Sequence, residues 1–366
     1  MNILQVVSSS RTSGAERHII VLSQWLQRRG HSVTAVCPPG GWLPEQLRSA
    51  GVPAVEMPMH GPVAPRAIFA LRGLARSLQA DVIHTHLTRA TYLGYFAGFL
   101  ARVPVISTVH VLSRDFAYRY LPRANHWYVA VSDHVRQALI TRGLSASRVH
   151  TVYNGTDFSV LDSIPAATPL SVRAELGVPA DAELVGLFGR VDSFKGHPLL
   201  VRAARSIVEA RPRSYFVFVG HADPAVQQGL WEMASADGVG DRLRFTGVRD
   251  DVPRLMDAMD LVTLPSLTEA CSMSIIEAMA RGKPVVATRA GGNLELVVDG
   301  STGVLVERTP EALAGAIAGL LADPGGRETM GRAGRQRAGE LFTAQAMAQN
   351  MERYYLRILE RLPVRA

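Results

Sequence analysis

Two glutamates, Glu269 and Glu277, stand eight positions apart in TEACSMSIIEAMARGKPVVATRAGGNLELVVDG (268–300), and an apolar helical run begins between them. Eight helical residues cover about 12 Å at about 1.5 Å each, which suits the two ends of one extended ligand better than two groups on one atom. The first N–H groups of a helix lack intrahelical partners and carry the positive end of its dipole, so residues 271 to 274 form an anion site. Carboxylates accept from hydroxyls. The stretch therefore reads as a nucleotide-sugar site, with Glu269, Ala270, Cys271, Ser272, Met273 and Glu277 as its lining. A structural reading competes, because Ser274 followed three residues later by Glu277 has the form of a capping box.

A second constellation is FGRVDSFKGH (188–197). Gly189 ends an apolar run, at the edge where an open parallel sheet exposes its ligands. Arg190 and Lys195 follow. A planar guanidinium and a compact ammonium together suit a diphosphate. The competing reading is a surface loop with two solvated cations. In RAGGNLELVVDGSTG, Gly291 and Gly292 permit either a tight turn or a close backbone approach to a ligand. Near the start, SSSRTSGAER places Gly14 and Ala15 at a strand-to-helix junction, where small residues and free N–H groups face a ligand. It is neither G-x-G-x-x-G nor a phosphate loop with Gly-Lys-Ser/Thr. HTH (84–86) and STVH (107–110) put His86 and His110 at consecutive strand ends. The sequence contains no D-x-D and no compact Cys/His spacing of the zinc type, so no metal or other cofactor is expected.

The elements that must hold these residues alternate. NILQVVS, HSVTAVCPP, VPAVEMP, ADVIHTH, VPVISTVH, HWYVAVS and VHTVYNG read as strands in the first half, mostly separated by helical patterns. In the helix 15–30, Ile19, Leu22, Trp25 and Leu26 recur at helical spacing and Gly30 is a natural stop. Residues 155–183 carry Pro165, Pro169 and Pro179 and read as a linker. Alternation resumes with LVGLFGRV, SYFVFVG, RLRFTG, LVTLPS and KPVVAT, and the tail 342–362 reads as one amphipathic helix. The expected fold is α/β, two doubly wound parallel domains, 1–165 and 166–342.

Composition bounds the rest. The chain has 366 residues, 47% hydrophobic and 19% charged, as in a globular protein of two cores. Two cysteines, Cys37 and Cys271, exclude a disulfide framework. The start reads directly as a strand, so no export signal and a cytoplasmic location are expected. The apolar patch ATYLGYFAGFLA (90–101) is too short to span a bilayer, which needs about 20 residues. The net charge is +7, and Lys195 and Lys283 are the only two lysines. A basic balance favours anionic partners, but arginines scattered away from aromatics argue against nucleic acid. In RAIFALRGLARSL (66–78), Ile68, Leu71, Leu74, Ala75 and Leu78 share one helical face, and Phe69, Arg72 and Arg76 share a neighbouring one. That second face suits either reversible peripheral contact with an anionic membrane or plain solvation.

Taken together, SGAERH, STVH, VYNGTD, GRVDSFKGH, the E-x7-E stretch EACSMSIIE and AGGNLELVVDGSTG resemble a retaining glycosyltransferase of the GT-B fold, family 4 (group 1). The resemblance covers nearly the whole chain. It implies two Rossmann-like domains facing across a cleft, an acceptor-side one first and a donor-binding one second, with the helix from about 343 crossing back to the first. It implies that Arg190, Lys195 and Gly189 serve the donor diphosphate, Glu269 the sugar hydroxyls and Glu277 the ribose. His110 is implied at the reacting face, His86 on the acceptor side, and Gly14 and Ala15 close to the substrates. The implied activity (EC 2.4, hexosyltransferase type) is metal-independent. It moves a sugar from a UDP- or GDP-sugar to a lipid-linked or glycan acceptor in cell-envelope polysaccharide or glycolipid synthesis. One departure stands out: the family's Gly-Phe-Gly after the first glutamate is here Ala270-Cys271-Ser272. It leaves open a non-catalytic sugar- or partner-binding protein, beside a same-fold nucleotide-sugar epimerase.

Overall fold

The computed structural model describes residues 1–59, 65–112, 121, 125–164 and 168–362. The chain divides into two compact units, Met1–Gly155 with Thr343–Ala366, and Thr156–Phe342.

In the first unit, β1 (Asn2–Val7), β2 (Ser32–Cys37), β3 (Ala54–Glu56), β4 (Val82–His86), β5 (Val105–Val109), β6 (His126–Ala130) and β7 (Val149–Thr151) form one parallel sheet. Their order is β3-β2-β1-β4-β5-β6-β7. Strands β4, β5 and β6 are buried along their whole length, as expected where helices cover both faces of a parallel sheet. The double burial extends to polar members, His84, Thr85, His86, Ser107, Thr108 and His126, which must therefore find partners inside the protein. The helix Gly14–Arg28 buries Ile19, Leu22 and Leu26. The helix Ala344–Glu360 packs Met347, Met351, Tyr355 and Ile358 into the same core as Leu22 and Leu26. Glu352 of this helix meets Arg29 and His31. The chain enters it past Gly155, where a Cβ would come within 2.3 Å of the Thr343 carbonyl oxygen.

In the second unit, β8 (Glu183–Phe188), β9 (Ser214–Val219), β10 (Leu243–Gly247), β11 (Leu261–Leu264), β12 (Val285–Thr288) and β13 (Gly303–Val306) form a parallel sheet. Its order is β10-β9-β8-β11-β12-β13. Strand β13 was not among the strand readings of the sequence. It starts on the last residue of the glycine-containing stretch VVDGSTG, with which the sequence reading grouped that start.

Residues 155–183 are not a plain linker. Thr168 caps a helix at Pro169–Glu175, with Pro169 in the first turn, where a missing N–H costs nothing. The helix Phe158–Ser163 is tied into the second unit by Arg281, which donates to the Leu161 carbonyl at 2.7 Å, and by the Arg335–Asp162 pair at 2.9 Å. The units therefore part at Gly155/Thr156, whereas the boundary expected at 165/166 falls at residues outside the described set.

Candidate functional site

In the second unit, β8 runs out into Gly189, at φ 140°, a conformation that L side chains rarely adopt. Gly220 presses against its carbonyl, and a Cβ on Gly220 would come within 2.1 Å of it. This fixes the turn that carries Arg190 and Lys195. Arg190 Nε donates to Asp192 Oδ2 at 2.6 Å, with its side chain 70% exposed. An exposed pair like this is weak, which leaves Arg190 able to turn to an anion. Asp192 Oδ1 accepts from the Lys195 backbone N–H at 2.8 Å. Lys195 Nζ donates to Glu269 Oε1 at 2.8 Å. The structure thus brings together two residues 74 positions apart.

Glu269 sits on the turn after β11, and Gly292 holds that turn. The Gly292 N–H donates to the Glu269 carbonyl at 2.9 Å, and a Cβ on Gly292 would meet the Ala270 carbonyl at 2.1 Å. The close approach foreseen at the glycine pair is therefore made to Ala270. Gly291 supplies the positive φ of 52°. Ala270, Cys271 and Ser272 adopt no positive φ, so replacing the family's glycines here costs no backbone strain.

The helix spans Met273–Ala280, with Ser272 as its N-cap. Glu277 is then the fifth helical residue, beyond the third position that a capping box requires, and Ser274 is inside the helix. The capping-box reading of Ser274 and Glu277 does not hold. Ser272 makes no side-chain cap bond; its Oγ meets Ser274 Oγ at 3.0 Å instead. The first N–H groups, from Met273 on, are left for an anion. Glu269, the open helix start and Glu277 follow in that order, Glu269 outside the helix and Glu277 on its second turn.

In the first unit, Ser13 caps the helix that starts at Gly14. It accepts from the Ala15 N–H at 3.3 Å and donates to Glu16. Gly14 is exposed and Ala15 buried. The sheet order β1-β4-β5 gathers a histidine cluster beside this helix. His86 Nε2 meets Gln5 Oε1 at 2.6 Å and its Nδ1 meets His110 Nε2 at 3.0 Å. His84, two residues back on the same strand face, meets Tyr355 Oη at 2.6 Å and Thr108 Oγ1 at 2.7 Å. The C-terminal helix therefore anchors this cluster. His18 completes it, its ring 4.8 Å from that of His110 and 5.6 Å from that of His86.

Burial holds the whole group neutral. It lowers His18 to about 4, against a smaller opposing effect of Asn154. Burial also lowers His84, His86 and His110 well below the ordinary range, with their neighbouring imidazoles adding to the shift. At Leu87, straight after His86, the backbone takes φ 71° and ψ 154°, a strained conformation of the kind found at functional sites.

His86 and His110 thus meet in the structure, as do Lys195 and Glu269. His18, His84 and Gln5 were not picked out from the sequence. His18 lies within an ordinary amphipathic helix pattern, and Gln5 lies in the first strand. Only the HTH repeat carried a signal, since alternate residues of a strand share a face. Lys195, Glu269 and Gly292 belong to the second unit, and the histidines to the first.

Residues 170–337 match the family described as glycosyl transferases group 1, and residues 12–160 match glycosyltransferase family 4. The chain is 28% identical over 294 residues to a D-inositol 3-phosphate glycosyltransferase of Corynebacterium glutamicum, an alignment spanning 74% of this chain and 70% of that protein. Among solved structures, Anabaena HepE in complex with UDP-glucose superposes with a TM-score of 0.85 at 26% identity, covering 99% of this chain and 100% of that one. A glycosyltransferase from Rickettsia africae superposes with a TM-score of 0.88 at 23% identity, covering 99% of both chains.

Proposed function

The chain belongs to the group 1 glycosyltransferases of family 4, and on that premise we propose that it is a retaining, metal-independent transferase that takes its sugar from a UDP-sugar. The observation that carries the reading is the Lys195–Glu269 pair at 2.8 Å beside the open start of the Met273–Ala280 helix. It joins a cation for the diphosphate, a carboxylate for sugar hydroxyls and free N–H groups for phosphate oxygens. Glu277, one turn further, takes the ribose. HepE, which has been seen with UDP-glucose, favours uridine as the base.

In the reaction, the bond between the anomeric carbon and the diphosphate oxygen breaks as Arg190, Lys195 and the helix start take up the charge developing on the leaving group. The acceptor oxygen bonds to the same face of that carbon and its proton passes to the departing diphosphate. Glu269 releases Lys195 to the diphosphate and accepts from the sugar hydroxyls. His110, neutral, serves the sugar face and His86 the acceptor side, as the family resemblance implies.

We further propose a lipid-linked or glycan acceptor of cell-envelope synthesis and work at a cytoplasmic membrane face. Among the described residues, no helix is long and apolar enough to cross a membrane. The helices Pro65–Ser77 and Thr88–Ala101 instead share a patch with Phe69 60% and Phe99 66% exposed, bordered by Arg72 and Arg76, which both donate to the Leu100 carbonyl. Exposed aromatics among arginines suit an anionic interface.

The test is a panel of nucleotide-sugars incubated with the protein in chelator, read as released nucleoside diphosphate, with the product anomer read by NMR. A UDP-sugar should be turned over with retained configuration. Turnover that requires added magnesium or manganese, or an inverted product, would refute the mechanism. Interconversion of the sugar with no nucleotide released would favour an epimerase.

A further inference from the structure

We propose that His18, His86 and His110 form a three-imidazole site for a borderline divalent transition ion of the zinc class. One ligand nitrogen from each lies within 4.8 Å of the other two. A tetrahedral ion with bonds of about 2.0–2.1 Å holds its nitrogens roughly 3.3–3.4 Å apart. The His86–His110 pair, hydrogen-bonded at 3.0 Å, has to open by about 0.3–0.4 Å to reach it. His18 has to close by up to about 1.5 Å, within the reach of side-chain rotation.

The hydrogen bonds assign the donor atoms. Gln5 Oε1 accepts from His86 Nε2–H, so the His86 Nδ1 lone pair accepts from His110 Nε2–H, and an ion takes the place of that proton as His110 moves its hydrogen to Nδ1. A ligating histidine usually has its other N–H held by an outer partner, as Gln5 holds that of His86. His84 has both ring nitrogens engaged, by Tyr355 and Thr108, and acts as a wall, not a ligand. His18 is 3% exposed, and although Asn154 is near enough to act on it, neither ring nitrogen reaches hydrogen-bond geometry. Buried polar atoms in that state call for an explanation, and an ion is one.

The chemistry of the donor set agrees. Burial keeps the three rings unprotonated at neutral pH, and neutral imidazole is the form that binds metal. Three imidazoles without a carboxylate favour zinc, copper, nickel or cobalt over magnesium and calcium. Three protein ligands leave a fourth position for water or an anionic oxygen. His110, the partly exposed member of the trio, provides the way in.

The residues of this site belong to the first unit and those of the diphosphate clamp to the second. The consequence of the site for turnover rests on the role of His110 proposed above: an ion that takes His110 Nε2, displacing the proton this nitrogen donates to His86 Nδ1, withdraws His110 from the sugar and inhibits. Ion binding does not depend on that reading, so the two are tested apart.

The experiment is cobalt titration of the chelator-treated full chain, read by visible absorption. One equivalent should give the intense bands of four-coordinate Co²⁺, bleached by an equivalent of Zn²⁺. His18→Leu should weaken binding by about 100-fold or more, and Gln5→Leu, which removes an outer partner, by about 10-fold. Where His18→Leu does not fold, His110→Ala, at the open side of the cluster, takes its place. Absence of one-to-one binding, or a spectrum that survives these substitutions unchanged, overturns the site. Binding without inhibition of UDP-sugar turnover upholds the site and refutes the role given to His110.

Discussion

Replacement of Lys195 by alanine separates two uses of one ammonium. In the structure it neutralises Glu269 at 2.8 Å, the side chains being 29% and 9% exposed respectively. Breaking a fully buried pair costs about 3–5 kcal/mol, but water reaches the lysine side, which brings the expected loss to about 1–2 kcal/mol. For a unit of this size that is roughly 2–8 °C in melting temperature. Loss of a preorganised donor to the leaving group costs about 100-fold or more in turnover, equivalent to about 2.7 kcal/mol of transition-state stabilisation. Loss of stability at this level would leave the protein folded at assay temperature, so it cannot account for the loss of rate. The discriminating variant is Lys195→Ala with Glu269→Ala, compared with Glu269→Ala alone by released nucleoside diphosphate and by thermal melts. Removing both charges should return most of the stability, because no buried carboxylate is left uncompensated. Turnover of the double variant should nevertheless fall about 100-fold below that of Glu269→Ala. Equal turnover in the two would show that Lys195 acts only by orienting Glu269, and would refute its part in the diphosphate clamp.

The same assays carry the remaining predictions. Arg190→Ala should lose about 100-fold in turnover with an unchanged melting temperature, since its side chain is 70% exposed; a matching loss of stability would recast it as structural. Glu277→Ala should weaken UDP binding in calorimetry, whereas Glu269→Ala should chiefly lower turnover; unaltered UDP affinity in the first would remove the ribose contact. His126 and His197, lowered by burial to about 3 and about 4, stay neutral in the fold. Their stability is fully present above the unfolded value near 6.5 and is lost as pH falls towards the folded values. Between pH 7 and 5 each should withdraw about 2 kcal/mol from its own unit, and melting temperatures that stay flat across that window would contradict the neutral assignment. Phe69→Ser with Phe99→Ser, and separately Arg72→Glu with Arg76→Glu, should each abolish low-salt co-sedimentation with anionic liposomes; retention in both variants would rule the patch out.

How much of this was legible follows from where each signal is stored. The strands were legible because each is a short run led by β-branched apolar residues, as VIHTH and VISTV are, with helical patterns between most of them. The E-x7-E stretch and the Arg190–Lys195 turn were legible because each is local. What the sequence hid was whatever depends on strand order. His18, His86 and His110 come from a helix and the ends of two strands, and they meet only because β4 lies between β1 and β5. Gly292 looked like an approach to a ligand, because nothing local shows that Ala270 is its neighbour.

The proline-rich segment misled for the opposite reason, since the local signal was real but ambiguous. Pro169 breaks a helix interior and starts a helix equally well, and Thr168 before it decides between the two. The same logic settles Glu277. Ser274 and Glu277 have the spacing of a capping box in sequence, and the start at Ser272 places them two positions too far along to form one. Glu277, on the second turn, therefore gains nothing from the cap.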